Sequence, residues 1–84
     1  MTRQVATRSV CITTIMRSKA FQCGVDDVRR GRLPRFDEWS DINWQWNYER
    51  GRQWATAAPC RMPVMIGRNI NPKAIYLFVR SNIT

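Results

Sequence analysis

The chain has no histidine, and its three cysteines, Cys11, Cys23 and Cys60, form no C-x-x-C pair. Without histidine, both the usual general base near neutral pH and the common zinc ligand sets are missing. An odd number of scattered thiols argues against a disulfide framework and reads as three reduced thiols of a cytoplasmic protein. No apolar run approaches the roughly 20 residues of a membrane span. Val10 to Met16 follows arginines, but it is too short and too rich in threonine for a signal-peptide core. No phosphate-binding glycine loop occurs. Asp26 and Asp27 fall about 100° apart on a helix, so they do not converge as an acid/base pair. Cys23 reads as a small buried hydrophobe. The expectation is a protein that is not an enzyme, with no cofactor, no metal and no membrane segment.

Acidic residues are also scarce. Six face fourteen basic ones, for a net charge of +8 and a sequence pI near 10.8. Twelve of the bases are arginine, whose planar fork suits phosphate and stacks on bases. Such a field on so small a body attracts polyanions. At 84 residues the chain makes one domain, 1–84, with a modest core. Four Trp, two Tyr and three Phe supply bulk for it.

Helical segments are expected at about 19–30 and 42–57. Ser18 caps the first, and Phe21, Val25 and Val28 follow on one stripe. Gly31 stops it and Pro34 forbids continuation. Leu33, Phe36 and Trp39 punctuate the connector as a plug. Asp41 caps the second helix, whose stripe is Trp44, Tyr48, Gly51, Ala55 and Ala58; Trp54 adds to the core, and Pro59 follows the helix end. Ala20, Gly24, Gly31 and Gly51 are small residues at helical spacings, which predicts a close contact between the two helices with Gly24 and Gly51 near it. Residues 5–16 are β-branched and read as a strand near 8–15. Residues 74–80, A-I-Y-L-F-V-R, alternate and read as a second strand. Cys60 to Pro72 reads as loop with a short extended piece at Val64 to Ile66, and Asn71-Pro72 as a turn. The expected fold class is therefore α+β: an antiparallel two-helix hairpin (17–58) packed against a small antiparallel sheet formed by N- and C-terminal strands, the β-type arms 1–16 and 59–84.

The pattern Ala20, Gln22, Gly24, Gly31, Arg32, then Pro34, then Trp44 or Trp46, Tyr48, Gly51 and Ala55 resembles the ribosome modulation factor family of small basic two-helix proteins. It covers about residues 17–58. The resemblance implies a helical hairpin, and a ribosome- or RNA-binding role of the kind found in ribosome hibernation. Three features depart from the family pattern: the added arms, Arg52 where the family tends to place a tryptophan after its glycine, and the acidic run Asp37-Glu38, followed by Asp41, in the linker.

Arg29, Arg30, Arg32 and Arg35 cluster at the first helix end and the connector, and Arg50 and Arg52 lie on the second helix. With Trp46 as a stacking ring, these are the candidate nucleic-acid or partner-binding residues. The expected function is a non-enzymatic ribosome- or RNA-binding modulator. The alternative is a phage-type inhibitor whose arginine surface clamps an acidic host protein such as a nuclease, polymerase or defence component. A homodimer through strand edges is a further expectation.

Overall fold

The computed structural model describes residues 12–34, 41–81 and 83. It is mostly helical with one small antiparallel sheet. Residues 12–17 are helical (α1), followed by α2 (Lys19–Arg29), α3 (Ile42–Ala57), β1 (Met65–Ile66), β2 (Asn69–Ile70) and α4 (Pro72–Arg80).

Local chemistry sets the ends of α2 and α3. The Ser18 hydroxyl accepts from the Phe21 amide at 3.2 Å, and the Asp41 carboxylate accepts from the Trp44 amide at 2.7 Å. Each supplies a partner for an amide that the first turn leaves unpaired. At the end of α2, Gly31 takes φ +68. The Gly31 amide then reaches the Val28 carbonyl at 3.1 Å and the Arg32 amide reaches the Asp27 carbonyl at 2.7 Å. This paired return closes the helix and turns the chain away from it.

Both expected terminal strands are corrected. Of the strand near 8–15, residues 8–11 lie outside the described residues, and 12–15 belong to α1. Ile12, Ile15 and Met16 recur at helical spacing and all pack on the core. Residues 74–80 form most of α4. Asn71 caps this helix by accepting from the Lys73 amide at 3.1 Å, and Pro72 occupies the first turn, where its missing N–H costs nothing. The Asn71-Pro72 pair is thus a helix start, not a turn into a strand. β-propensity reflects fit to a pleated, half-buried surface, and here tertiary packing selects the helix. Among the described residues the arms therefore carry α1, one hairpin and α4, and four helical segments replace the expected pair. The sheet lies inside the second arm: β1 pairs β2 in the register Met65↔Ile70 and Ile66↔Asn69. Gly67, at φ +63, makes the turn between them. Of the extended piece expected at Val64 to Ile66, Met65 and Ile66 form its first strand.

Helices α2 and α3 meet backbone to backbone. A Cβ on Gly24 would lie 2.1 Å from the Tyr48 carbonyl oxygen, and one on Gly51 would lie 2.1 Å from that of Phe21. As α2 advances from Phe21 to Gly24, its partner on α3 retreats from Gly51 to Tyr48, so the two helices run in opposite directions. Both glycines are buried in this contact, as their spacing predicts.

The core gathers around Trp54 and Phe21, whose ring centroids are 6.0 Å apart, with Phe78 also 6.0 Å from Phe21. Met16, Val25, Ala55, Val64, Ile70 and Ala74 complete it. The buried indole of Trp54 donates to the Ala74 carbonyl at 3.0 Å and so fastens α4 to α3. Of the expected core residues, Phe21, Val25, Tyr48 and Trp54 are buried, and Val28 packs against the cluster while partly exposed. Trp44 is only half-buried and stacks on Tyr48 at 5.2 Å. Of the expected plug, Leu33 is exposed to solvent and packs on nothing in the core, and Phe36 and Trp39 lie outside the described residues.

Candidate nucleic-acid interface

The candidate arginines divide into four situations. Arg29 is turned toward the protein. Its guanidinium lies 5.5 Å from the Trp54 ring centroid and donates to the Met62 carbonyl. This arginine staples α2 to the loop before β1. Arg30 and Arg32 gather around two carboxylates. Arg30 pairs with Asp26 at 3.0 Å, and Arg32 reaches Asp27 at 3.3 Å and Asp26 at 3.9 Å. The Arg30–Asp26 pair is exposed, so it is worth little and competes weakly with a phosphate. Arg50 and Trp46 form a unit on α3: the guanidinium sits 5.6 Å from the ring centroid and donates to Asn47 at 2.9 Å. Trp46 is 55% exposed, so it has surface available for stacking.

Arg52 is the fourth case. Its Nη1 atom is buried and makes no hydrogen bond. A buried donor without an acceptor costs about 1–3 kcal/mol. Arg35 lies outside the described residues.

Asp27, which does not converge with Asp26 as an acid/base pair, has a structural role instead. It is fully buried. The Tyr48 hydroxyl donates to its carboxylate at 2.6 Å, and Arg32 pairs with it from the exposed side. A buried carboxylate must be paired and hydrogen-bonded to be tolerated. Asp27 therefore fixes the rotation of α2 against α3 and anchors Arg32. The arrangement depends on Tyr48 lying opposite Asp27, so only the helix register reveals it.

Sequence reasoning also missed a second set of cations. Glu49 is the last acidic residue; residues 50–84 contain Arg50, Arg52, Arg61, Arg68, Lys73 and Arg80 and no Asp or Glu. Arg61, Arg68, Lys73 and Arg80 are all exposed. Among the described residues, the ion pairs join only Asp26 and Asp27 to Arg30 and Arg32. The positive field is thus partly neutralised at the end of α2 and uncompensated over the C-terminal half. The distribution of acids along the chain carried that signal.

No described helix is long and apolar enough to cross a membrane. Comparison with protein-family models, with curated proteins and with solved structures found no match.

Proposed function

We propose that this chain is a non-enzymatic, cytoplasmic RNA-binding protein that acts on the ribosome, in the manner of the family its residues 17–58 resemble. In this reading α2 and α3 form the helical hairpin of that family. Charge segregation is the observation that carries it. Six bases and no acid occupy residues 50–84, and the described carboxylates in ion pairs hold only Arg30 and Arg32. Phosphate is the abundant polyanion that such a surface fits. The proposed contacts are Arg30, Arg50, Arg52 and Trp46. Arg29 and Arg32 contribute field while holding Met62 and Asp27, and Arg35 belongs to the same group by sequence.

Co-sedimentation with small ribosomal subunits, repeated after ribonuclease treatment and across a salt series, tests this. Association that falls steeply with salt and vanishes with nuclease is expected. Full association after nuclease treatment overturns it. A second reading draws on exposed Leu33, Ile42 and Trp46. Apolar side chains beside arginines also suit an acidic protein surface, and a single protein partner retained after nuclease treatment would identify that case.

A further inference from the structure

The outward side of α4 carries a stripe that the hairpin reading does not use. Lys73, Tyr76 and Arg80 follow at i, i+3 and i+7, so they share one face. Ala74 and Phe78 point the opposite way, into the core. All three stripe residues are exposed, and Tyr76 keeps 63% of its surface open. Arg80 lies 5.9 Å from the Tyr76 ring centroid and donates to its hydroxyl at 3.3 Å. The ring is therefore held by a cation at one end of the stripe, with a second cation at the other. The two charges are separated by about 10 Å of helix axis.

Helix stability does not explain this placement. Arg80 suits the last turn, but Lys73 sits in the first turn, where the helix dipole disfavours a cation, and no acid accompanies it. Core packing does not explain Tyr76 either, since it faces solvent. A stacking ring between cations, in a stretch without acids, fits a single strand whose bases are unpaired.

We propose that Lys73, Tyr76 and Arg80 form a second contact for single-stranded RNA, in which a base stacks on Tyr76 and the two cations meet phosphates on either side. This rests on the RNA-binding reading above and gives it a strand preference and a second site. The protein then grips RNA at two places, the α2–α3 arginines and α4.

The test is fluorescence anisotropy with a labelled single-stranded RNA oligonucleotide and with the duplex of the same sequence. Four proteins are compared: wild type, Tyr76→Ala, the pair Lys73→Gln with Arg80→Gln, and a control pair, Arg17→Gln with Lys19→Gln, which removes two charges elsewhere. Tyr76→Ala is expected to weaken single-strand binding about five- to 150-fold and duplex binding much less. The α4 pair is expected to flatten the slope of log affinity against log salt by about 1.4, at about 0.7 for each phosphate that the protein ceases to neutralise. The control pair is expected to leave the slope near that of wild type. Tyr76→Phe keeps the ring and should keep the affinity. If Tyr76→Ala lowers the melting temperature, Tyr76→Leu takes its place.

Folded α4 variants that bind like wild type overturn this proposal alone. So does a control pair that costs as much as the α4 pair, or a Tyr76 variant that weakens duplex and single strand equally. A wild-type chain with no salt-sensitive RNA binding overturns the hairpin reading and this one together.

Discussion

Gly24→Ala separates two opposed effects whose sizes can be worked out. In an exposed helix the change stabilises by about 1 kcal/mol, because alanine is the better helix former. Here the new Cβ meets the Tyr48 carbonyl oxygen at 2.1 Å and the Arg52 amide nitrogen at 2.9 Å. Ordinary contact begins near 3.5 Å, so the first approach is short by about 1.4 Å. Both neighbours are main chain, so no rotamer change relieves the clash and α3 must move as a body. Overpacking of this kind costs about 1–3 kcal/mol and sometimes more. Movement of α3 also stretches the Tyr48–Asp27 bond, a charged hydrogen bond worth about 1.5–3 kcal/mol. Taking the upper strain and the lower bond value, and deducting the propensity gain, leaves a net loss of about 3.5 kcal/mol. A domain of this length has a total stability of order 4–13 kcal/mol. The melting temperature should fall by at least about 14 °C.

Thermal and urea melts followed by tryptophan fluorescence and circular dichroism read this directly. Gly51→Ala should behave alike, since its Cβ would meet the Phe21 carbonyl oxygen at 2.1 Å. The double variant should lose less than the sum of the two, because helices already parted accommodate the second methyl. Gly31→Ala, with nothing within 4 Å of its Cβ but a φ of +68, should lose only about 1–2 kcal/mol. A Gly24→Ala protein that melts at or above the wild-type temperature refutes the close-contact argument.

Three further outcomes follow from the interior. Tyr48→Phe leaves the buried Asp27 carboxylate short of a donor and should cost about 1.5–3 kcal/mol in urea denaturation; a variant within about 0.5 kcal/mol of wild type, the range of an inconsequential surface change, would show that Asp27 does not need the hydroxyl. Trp54→Ala removes the largest fully buried side chain and its bond to Ala74. It should cost about 3–5 kcal/mol, enough to abolish a cooperative melt in so small a chain, and an intact sigmoidal melt near the wild-type temperature would contradict this. Arg52→Met replaces a buried unpaired donor by an apolar side chain of similar length. The melting temperature should stay level or rise while RNA affinity falls, and a clear drop in melting temperature would show that Arg52 serves the fold.

Helices α2 and α3 were legible because their determinants are local. Ser18, Gly31 and Asp41 act within a few residues of themselves, and the glycine spacing specified which faces meet. The terminal segments were not legible by the same means. Ile75, Leu77 and Val79 alternate as a strand would, yet Ala74 and Phe78 carry the buried side of a helix, and only the core decides between the two patterns. The Asn71-Pro72 start signal was available there and outweighs the alternation. At the binding surface, net charge was readable, but its distribution among partners was not. Arg29 belongs to Met62 and Trp54, and Arg32 to Asp27, because the folded chain brings distant groups together.

The bond from the Trp54 indole to the Ala74 carbonyl makes α4 a conditional helix. Nine residues are too few to hold helical shape alone in water, so α4 persists only while it is docked. Lys73, Tyr76 and Arg80 form a single stripe in that docked helix and scatter when it melts. Anything that grips the stripe must therefore bind the folded chain in preference to the unfolded one, and by mass action it must raise the melting temperature as its concentration rises. A thermal-shift titration thus reads occupancy of α4 without a label, and heat alone releases the ligand.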